Sequence, residues 1–480
     1  MKLERIKSFV LFLLIISSIV LASQIWFNEK LWPDGYNFSS ILQNTTVGRF
    51  FLGLTDGDET KETVQEDILV PYNFFVYMVK DSDHAGYMLT PKDESFSDAK
   101  NFLHEFMGKT LSGASEGNFS KIEESAWQNA LCADGIYLDY GAAYLTDTFL
   151  QLVNVVSDAG ILKENINKMG RFALACEGDK INLYINDLSD NSFYRIDCNA
   201  ESEELLEIIN GCREDATVYN RFSFFIGADI AAPIEGTAVF APYIVLSEGN
   251  VDALTATSES LERINSKMLS EAENIAEIFS INPKTARRYA DAQENTVLVQ
   301  NQSSVKFTKQ GYIEYVATTA NGGLALLENA DSNTPLALVL YPLVFLAERI
   351  NQNIAENSNI SVYVSSVSED NGKYTVTLDY GFNGFTYVAS DGKNPISSVT
   401  AEIEGGHLKS YKQYIADLEV TEEIVTLPSS YEGIDSIFAH LGLEERKKLI
   451  NDMFIGYIDI DGNVLPKWFI RSGDSYTIFH

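Results

Sequence analysis

From Phe9 to Phe27 the chain carries no charge, and only Ser17, Ser18, Ser23 and Gln24 interrupt its apolar character. At 1.5 Å per residue, roughly 19 residues of helix reach about 28 Å, close to the hydrocarbon thickness of a bilayer. Lys2, Arg5 and Lys7 precede the run, with Glu4 as the one acid among them. Positive charge stays on the cytoplasmic side. The pattern therefore predicts a cytoplasmic tail at 1–7, a single transmembrane helix at 8–27 and an extracytoplasmic remainder. A cleaved leader is the competing reading, with Val20-Leu21-Ala22 as its small-residue site. The length of the run favours a retained anchor, as does Trp26, which stands where an interfacial aromatic fixes depth. Ser18 and Ala22 are four apart and would let a second helix approach closely. Ser18, Ala22 and Trp26 are thus the candidate contact residues of this span.

Beyond it, residues 28–67 combine Trp32-Pro33-Asp34-Gly35 with an acidic run over 56–66 and few periodic apolar positions, the signature of a stalk or linker. Folded structure is expected from 68. β-Branched and aromatic residues predict a strand at 68–79, and helical spacing of Ala99, Phe102, Leu103, Phe106 and Met107 predicts a helix at 97–109. A short strand follows at 136–140 and a helix at 143–155. A meander is expected at 172–176, 181–185 and 193–198, turned first by Gly178-Asp179. Then come a helix at 201–210, strands at 218–226 and 237–246, one long helix at 257–280, and another opened by Asn282-Pro283. Strands at 295–300, 304–308 and 312–318 precede an apolar helix at 336–353. Pro342, Glu348 and Arg349 mark that helix as a buried core element and not a second span. Strands at 360–367, 373–380 and 385–388, a hairpin over 399–414 turned by Gly405-Gly406, short helices at 433–440 and 444–452, and strands at 454–459 and 468–470 complete the order. The fold class is α+β: an N-terminal transmembrane helix, then a multidomain ectodomain of antiparallel sheets packed with helices. Expected units are 68–250, 251–355 and 356–480.

With 480 residues, a net charge of −33 and 45% hydrophobic residues, the chain is too long for one core and too apolar for disorder. Its surface repels nucleic acid and anionic headgroups. Cys132, Cys176, Cys198 and Cys212 contain no Cys-x-x-Cys, so zinc and dithiol chemistry are not suggested. Cys132 and Cys176 read as small core residues. Cys198 and Cys212 bracket 199–211 and could pair, although a chain of this size does not need the staple.

The remaining motifs lack their contexts. Gly113-Ala-Ser115-Glu-Gly117 resembles a nucleophile elbow, but a helix and not a strand precedes it. Gly108-Lys109-Thr110 lacks the first glycine of a phosphate loop. His104-Glu105 has no second histidine for zinc. Asp459-Ile-Asp461-Gly-Asn463 opens like a calcium loop, but its twelfth position is Ile470, so a hairpin turn is expected. No catalytic residue, metal site or cofactor is indicated.

Several stretches carry a resemblance: Met1-Lys-Leu-Glu-Arg-Ile-Lys-Ser8 before the span and Ile25-Trp-Phe-Asn-Glu-Lys-Leu-Trp-Pro33 after it; Phe279-Ser-Ile-Asn-Pro-Lys-Thr-Ala-Arg-Arg288; Gly405-Gly-His-Leu-Lys-Ser-Tyr411; and Asp461-Gly-Asn-Val-Leu-Pro-Lys-Trp468. In these the chain resembles the YycH family of Gram-positive bacteria over nearly its whole length. The resemblance implies a membrane-anchored accessory protein of the YycFG (WalRK) two-component system, which controls cell-wall metabolism. It implies action on a YycG/WalK-like sensor histidine kinase through the transmembrane helix and the ectodomain, beside a YycI-like sister protein, and a C-terminal part related to YycI. The alternative is a cell-wall-facing ligand-binding protein without catalysis, which would show a concave, aromatic-lined pocket; a further class is an anchored hydrolase, which would need a cleft with a pKa-perturbed acid or nucleophile.

Overall fold

The computed structural model describes residues 68–479 except 81–82, 92, 156–158, 215–219, 224–238, 241–242, 248, 319–321, 328–329, 332, 356–357, 359, 391–394, 431, 435–448, 451 and 473–474. The expected tail, anchor and stalk, with Ser18, Ala22 and Trp26, lie outside the described residues.

Two sheets organise the rest, the first antiparallel and the second antiparallel except where β19 (Phe385–Tyr387) runs parallel to β24 (Asp452–Ile460). The first has nine strands: β1 Asn73–Lys80, β2 Asp83–Leu89, β3 Phe119–Ile122, β4 Gly135–Leu145, β5 Lys168–Glu177, β6 Lys180–Asp187, β7 Ser192–Glu201, β8 Asn220–Phe222 and, after the short β9 Val239–Phe240, β10 Val245–Ser247. Their order is β10-β8-β2-β1-β4-β5-β6-β7-β3. Strand side chains alternate between faces, and here both faces are covered. Phe74 and Val76 of β1 join one core with Leu103 and Leu205. Phe75 and Tyr77 join another with Trp127. The helices concerned are α1 Phe96–Ser112, α2 Glu124–Ala130, α3 Thr146–Leu152, α4 Gly160–Asn165 and α5 Ser202–Glu214.

The second sheet takes its strands from the remainder of the chain: β11 Val251–Ser258, β12 Arg287–Ala290, β13 Thr296–Gln300, β14 Ser303–Phe307, β15 Tyr312–Ala317, β16 Leu324–Ala325, β17 Ile360–Asp370, β18 Lys373–Phe382, β19 Phe385–Tyr387, β20 Val399–Glu404, β21 His407–Tyr414, β22 Leu418–Leu427, β24 Asp452–Ile460, β25 Asn463–Ser472 and β26 Ser475–Phe479. β23 Leu449–Ile450 pairs β9 outside it. β15 pairs β21, so strands from before and after position 355 share the sheet. β11 lies between β22 and β25, next to the last strands of the chain. Helices α6 Leu261–Ser270, α7 Ala272–Ile278 and α8 Leu336–Ile354 accompany it. α8 holds Pro342 and buries Leu340, Leu343, Ala347 and Ile350. It packs on β17 and α3, and β17 runs against β4, so the two sheets meet there. Among the described residues no helix is long and apolar enough to cross a membrane.

Several expectations are corrected. The first strand starts at Asn73 and not at 68, because Pro71 has no N–H to give a ladder. The helix expected at 143–155 is only Thr146–Leu152. β4 instead continues past Gly141, whose φ is +71°, and re-pairs Tyr144 with Met169 after a register shift. The helix expected at 257–280 is strand to Ser258, then α6 and α7 with a break at Glu271. No helix follows Asn282: its Oδ1 accepts the Lys284 N–H at 3.0 Å, an Asx turn that releases Arg287–Ala290 to pair β13. Of the two short helices expected at 433–440 and 444–452, residues 435–448 lie outside the described residues; Leu449–Ile450 and Asp452 are strand. β2, β3, α2, α4, β16, β22 and β26 are elements the pattern does not predict. No disulfide joins the four cysteines, and Cys132 and Cys176 are half-buried.

Candidate functional site

α1 and α5 lie on one face of the first sheet with their apolar sides inward. Leu103, Met107 and Leu111 of α1 and Leu205 and Ile209 of α5 are buried. Their other flanks bound an open groove of about 810 Å³. Phe102 and Phe106, one turn apart on α1, stack at 6.0 Å and remain half-buried at its wall. Opposite them stand Glu203, Glu204 and Glu207 of α5. Residues Asp197 to Glu201 of β7 form the floor without interruption. β7 shifts register against β6 between Asp197 and Glu201, a bulge that breaks the alternation of faces, so consecutive residues of the run line the groove along the strand's edge. The ladder agrees. β3 pairs β7 only as far as Phe119 opposite Ile196, and the Asp197 N–H is donated to the Asn118 carbonyl at 2.9 Å. Past that point β7 is the border of the sheet among the described strands. The lining carries six carboxylates, Glu105, Asp197, Glu201, Glu203, Glu204 and Glu207, against the single ammonium of Lys109, itself paired with Glu105.

A smaller hollow of about 450 Å³ lies across β6 and β7. Glu177 accepts from the Asn182 amide at 2.9 Å and from the Tyr184 hydroxyl, and Arg195 pairs with Asp197 at 2.7 Å. Burial, reinforced by the Glu177 carboxylate, pushes the Tyr184 hydroxyl above its ordinary range. Glu177, Asn182 and Tyr184 satisfy one another, which favours a rigid wall over a reactive centre.

Where the sheets meet, Arg171 of β5 pairs with Asp139 of β4 at 2.8 Å, and Arg471 of β25 with Asp452 of β24 at 3.5 Å. Burial raises the Asp452 carboxyl, and Arg471 opposes that shift. Tyr72 meets Phe454 edge-on at 5.9 Å beside them.

The motif look-alikes fall where no chemistry is available. Ser115 lies in a loop after α1, its hydroxyl on Asn118 Oδ1 at 3.1 Å. Gly108-Lys109-Thr110 is inside α1. His104 is buried with its Nε2 2.9 Å from the Tyr140 hydroxyl. Burial, then the Lys100 charge, lowers it to about 3, so it is a neutral core imidazole at neutral pH. Asp461 and Gly462 turn the β24–β25 hairpin with φ of +55° and +88°. Both are positive, as the tight primed turn demands. Among the described residues no group of His, Cys, Asp and Glu is placed to hold a metal ion.

The sequence reading missed the groove. Its signals were present but split. Helical spacing places Phe102 and Phe106 on the core face of α1, and the helix expected at 201–210 gives Glu203, Glu204 and Glu207 no role. Only the packing of α1 beside α5 brings them together.

These observations define a two-sheet α+β protein with helices on both faces of the first sheet and an acidic edge groove. The crystal structure of YycH from Bacillus subtilis is similar to it, with a TM-score of 0.52 and 11% sequence identity, covering 86% of this chain and 96% of that one. The chain has the YycH fold. No protein-family description matches the sequence, and no curated protein does.

Proposed function

We propose that this chain is a membrane-anchored extracytoplasmic regulator of a sensor histidine kinase of the YycG/WalK type, with a YycI-like protein as a second partner and cell-wall metabolism as the controlled process. The observation that carries the reading is a fold shared with YycH along almost that protein's whole length. The charged start and the uncharged run from Phe9 to Phe27 supply the anchor. A helix lying beside the kinase's own spans biases its signalling equilibrium by its differential affinity for the two states. Ser18 and Ala22 would permit close approach, with Trp26 setting depth.

The test is co-purification of the full-length protein from its native membrane, beside a version whose residues 8–27 are replaced by an unrelated span. A histidine kinase recovered with the natural span and lost with the replacement is the expected result. A kinase retained by both would move the contact to the ectodomain. No kinase in either eluate would sink the proposal and leave the second reading, a cell-wall-facing binding protein, which the aromatic-walled groove beside β7 favours.

A further inference from the structure

We propose that the groove between α1 and α5 binds an extended, lysine- or arginine-bearing segment of a partner protein, added along the edge of β7 that no described strand pairs, at residues 198–201. The inference rests on the groove and not on the identity of the kinase, so it stands or falls separately from the reading above.

Three independent features converge on this occupant. The first is the strand edge. β3 stops at Phe119, the Asp197 N–H goes to the Asn118 carbonyl, and past it β7 shifts register against β6 through a bulge while no described strand pairs its other side, so the main-chain groups of residues 198–201 border the groove where an added strand would meet them. The second is the wall: Phe102 and Phe106 stack on each other and are left half-buried at the groove, a seat for the apolar residues on one face of an added strand. The third is charge. Glu105 is paired with Lys109 and Asp197 with Arg195, and the other carboxylates of the lining, Glu201, Glu203, Glu204 and Glu207, make the rim repel acidic segments and attract basic ones. The lining thus pairs a main-chain template with selection by side-chain sign, and a strand alternating basic and apolar residues satisfies both at once. A folded acidic partner would meet like charge, and a purely apolar strand would leave the glutamates desolvated without a counter-charge.

The experiment uses the full-length protein in detergent and a fluorescein-labelled synthetic peptide alternating lysine and valine, read by anisotropy. Saturable binding is expected, weakening as salt rises and weaker by about tenfold in a Glu203→Gln, Glu204→Gln, Glu207→Gln variant. These three side chains are exposed, and an unchanged thermal melt verifies that the variant folds. The same peptide N-methylated at alternate residues keeps its charge but loses its strand hydrogen bonds, and should bind at least about tenfold more weakly. An alternating glutamate–valine peptide should not bind. Equal binding of the N-methylated peptide, or competition by spermine at the peptide's own affinity, would reduce the groove to a sink for small cations and overturn the proposal. So would full binding by the triple variant, or no binding of the lysine–valine peptide to the unmodified protein.

Discussion

His104 shows how burial converts one side chain into a pH dependence. Its imidazole is enclosed under α1 against Tyr140, and burial with the Lys100 charge lowers its pKa to about 3. In the unfolded chain it protonates near pH 6.5. Between those values the unfolded state binds the extra proton, so stability falls as pH drops from 6.5 toward 3, by at most about 1.4 kcal/mol per pH unit. A His104→Gln variant keeps a hydrogen-bonding group near Tyr140 and removes the titration. Urea midpoints at pH 7 and pH 5 should separate for the natural protein by clearly more than for the variant; equal separations would show that His104 does not carry this acid sensitivity. The sequence exposed half of this. It showed that His104 lacks a metal-ligand partner, but not that Tyr140, 36 residues away, closes over it. Gly86 is a similar case. A Cβ there would stand 2.3 Å from the Val76 carbonyl, a constraint set by the β1–β2 pairing alone. The Asp461-Gly462 turn, by contrast, was legible, because two positive φ angles are a local demand met by adjacent residues.

At the scale of elements, apolar runs bounded by turn residues are reliable guides within one element and misleading where two elements abut. β5, β6 and β7, the 399–414 hairpin and α8 sit where their patterns place them. The helix expected at 257–280 is instead a strand, a cap and two helices. Ser260 marks the junction: its backbone is extended and its Oγ accepts the Arg263 N–H at 3.4 Å. Val251–Ser258 is held as strand by β22 and β25, which come more than 150 residues later, and no window around position 257 contains that information. Ser260→Ala should cost about 0.5–1 kcal/mol in a denaturant titration, as loss of a long N-cap bond does. Were residues 257–280 one continuous helix, the same change would sit mid-helix and stabilise. The sign of the shift therefore decides between them.

At the scale of the whole molecule, two sheets meet along β4 and β17 over the Asp139–Arg171 and Asp452–Arg471 pairs. Asp139 is buried and Arg171 half-buried, so removing the arginine strands an enclosed carboxylate. Arg171→Met should destabilise the protein by on the order of 3 kcal/mol, and an Asp139→Leu, Arg171→Met double variant should recover most of the loss. Denaturant titration of the single and double variants measures both. A single variant indistinguishable from the natural protein would show that the seam is held by apolar packing and not by this pair. A charge of −33 sets a solvated, acid-rich surface, but it does not say which few acids face a groove and which face water.

By itself the sequence determined what is local. It specified the uncharged run before the folded part, the α+β class, the meander, the glycine turns and the absence of metal-ligand spacing, because each depends on neighbours within one or two turns of chain. Tertiary structure decided what depends on distant partners. It threaded Val251–Ser258 into the C-terminal sheet, closed Tyr140 over His104, and set α5 beside α1 so that a stacked Phe pair and a row of glutamates border one open strand edge. Burial and charge at those places are sums over segments far apart in the chain, and only the folded packing performs that sum.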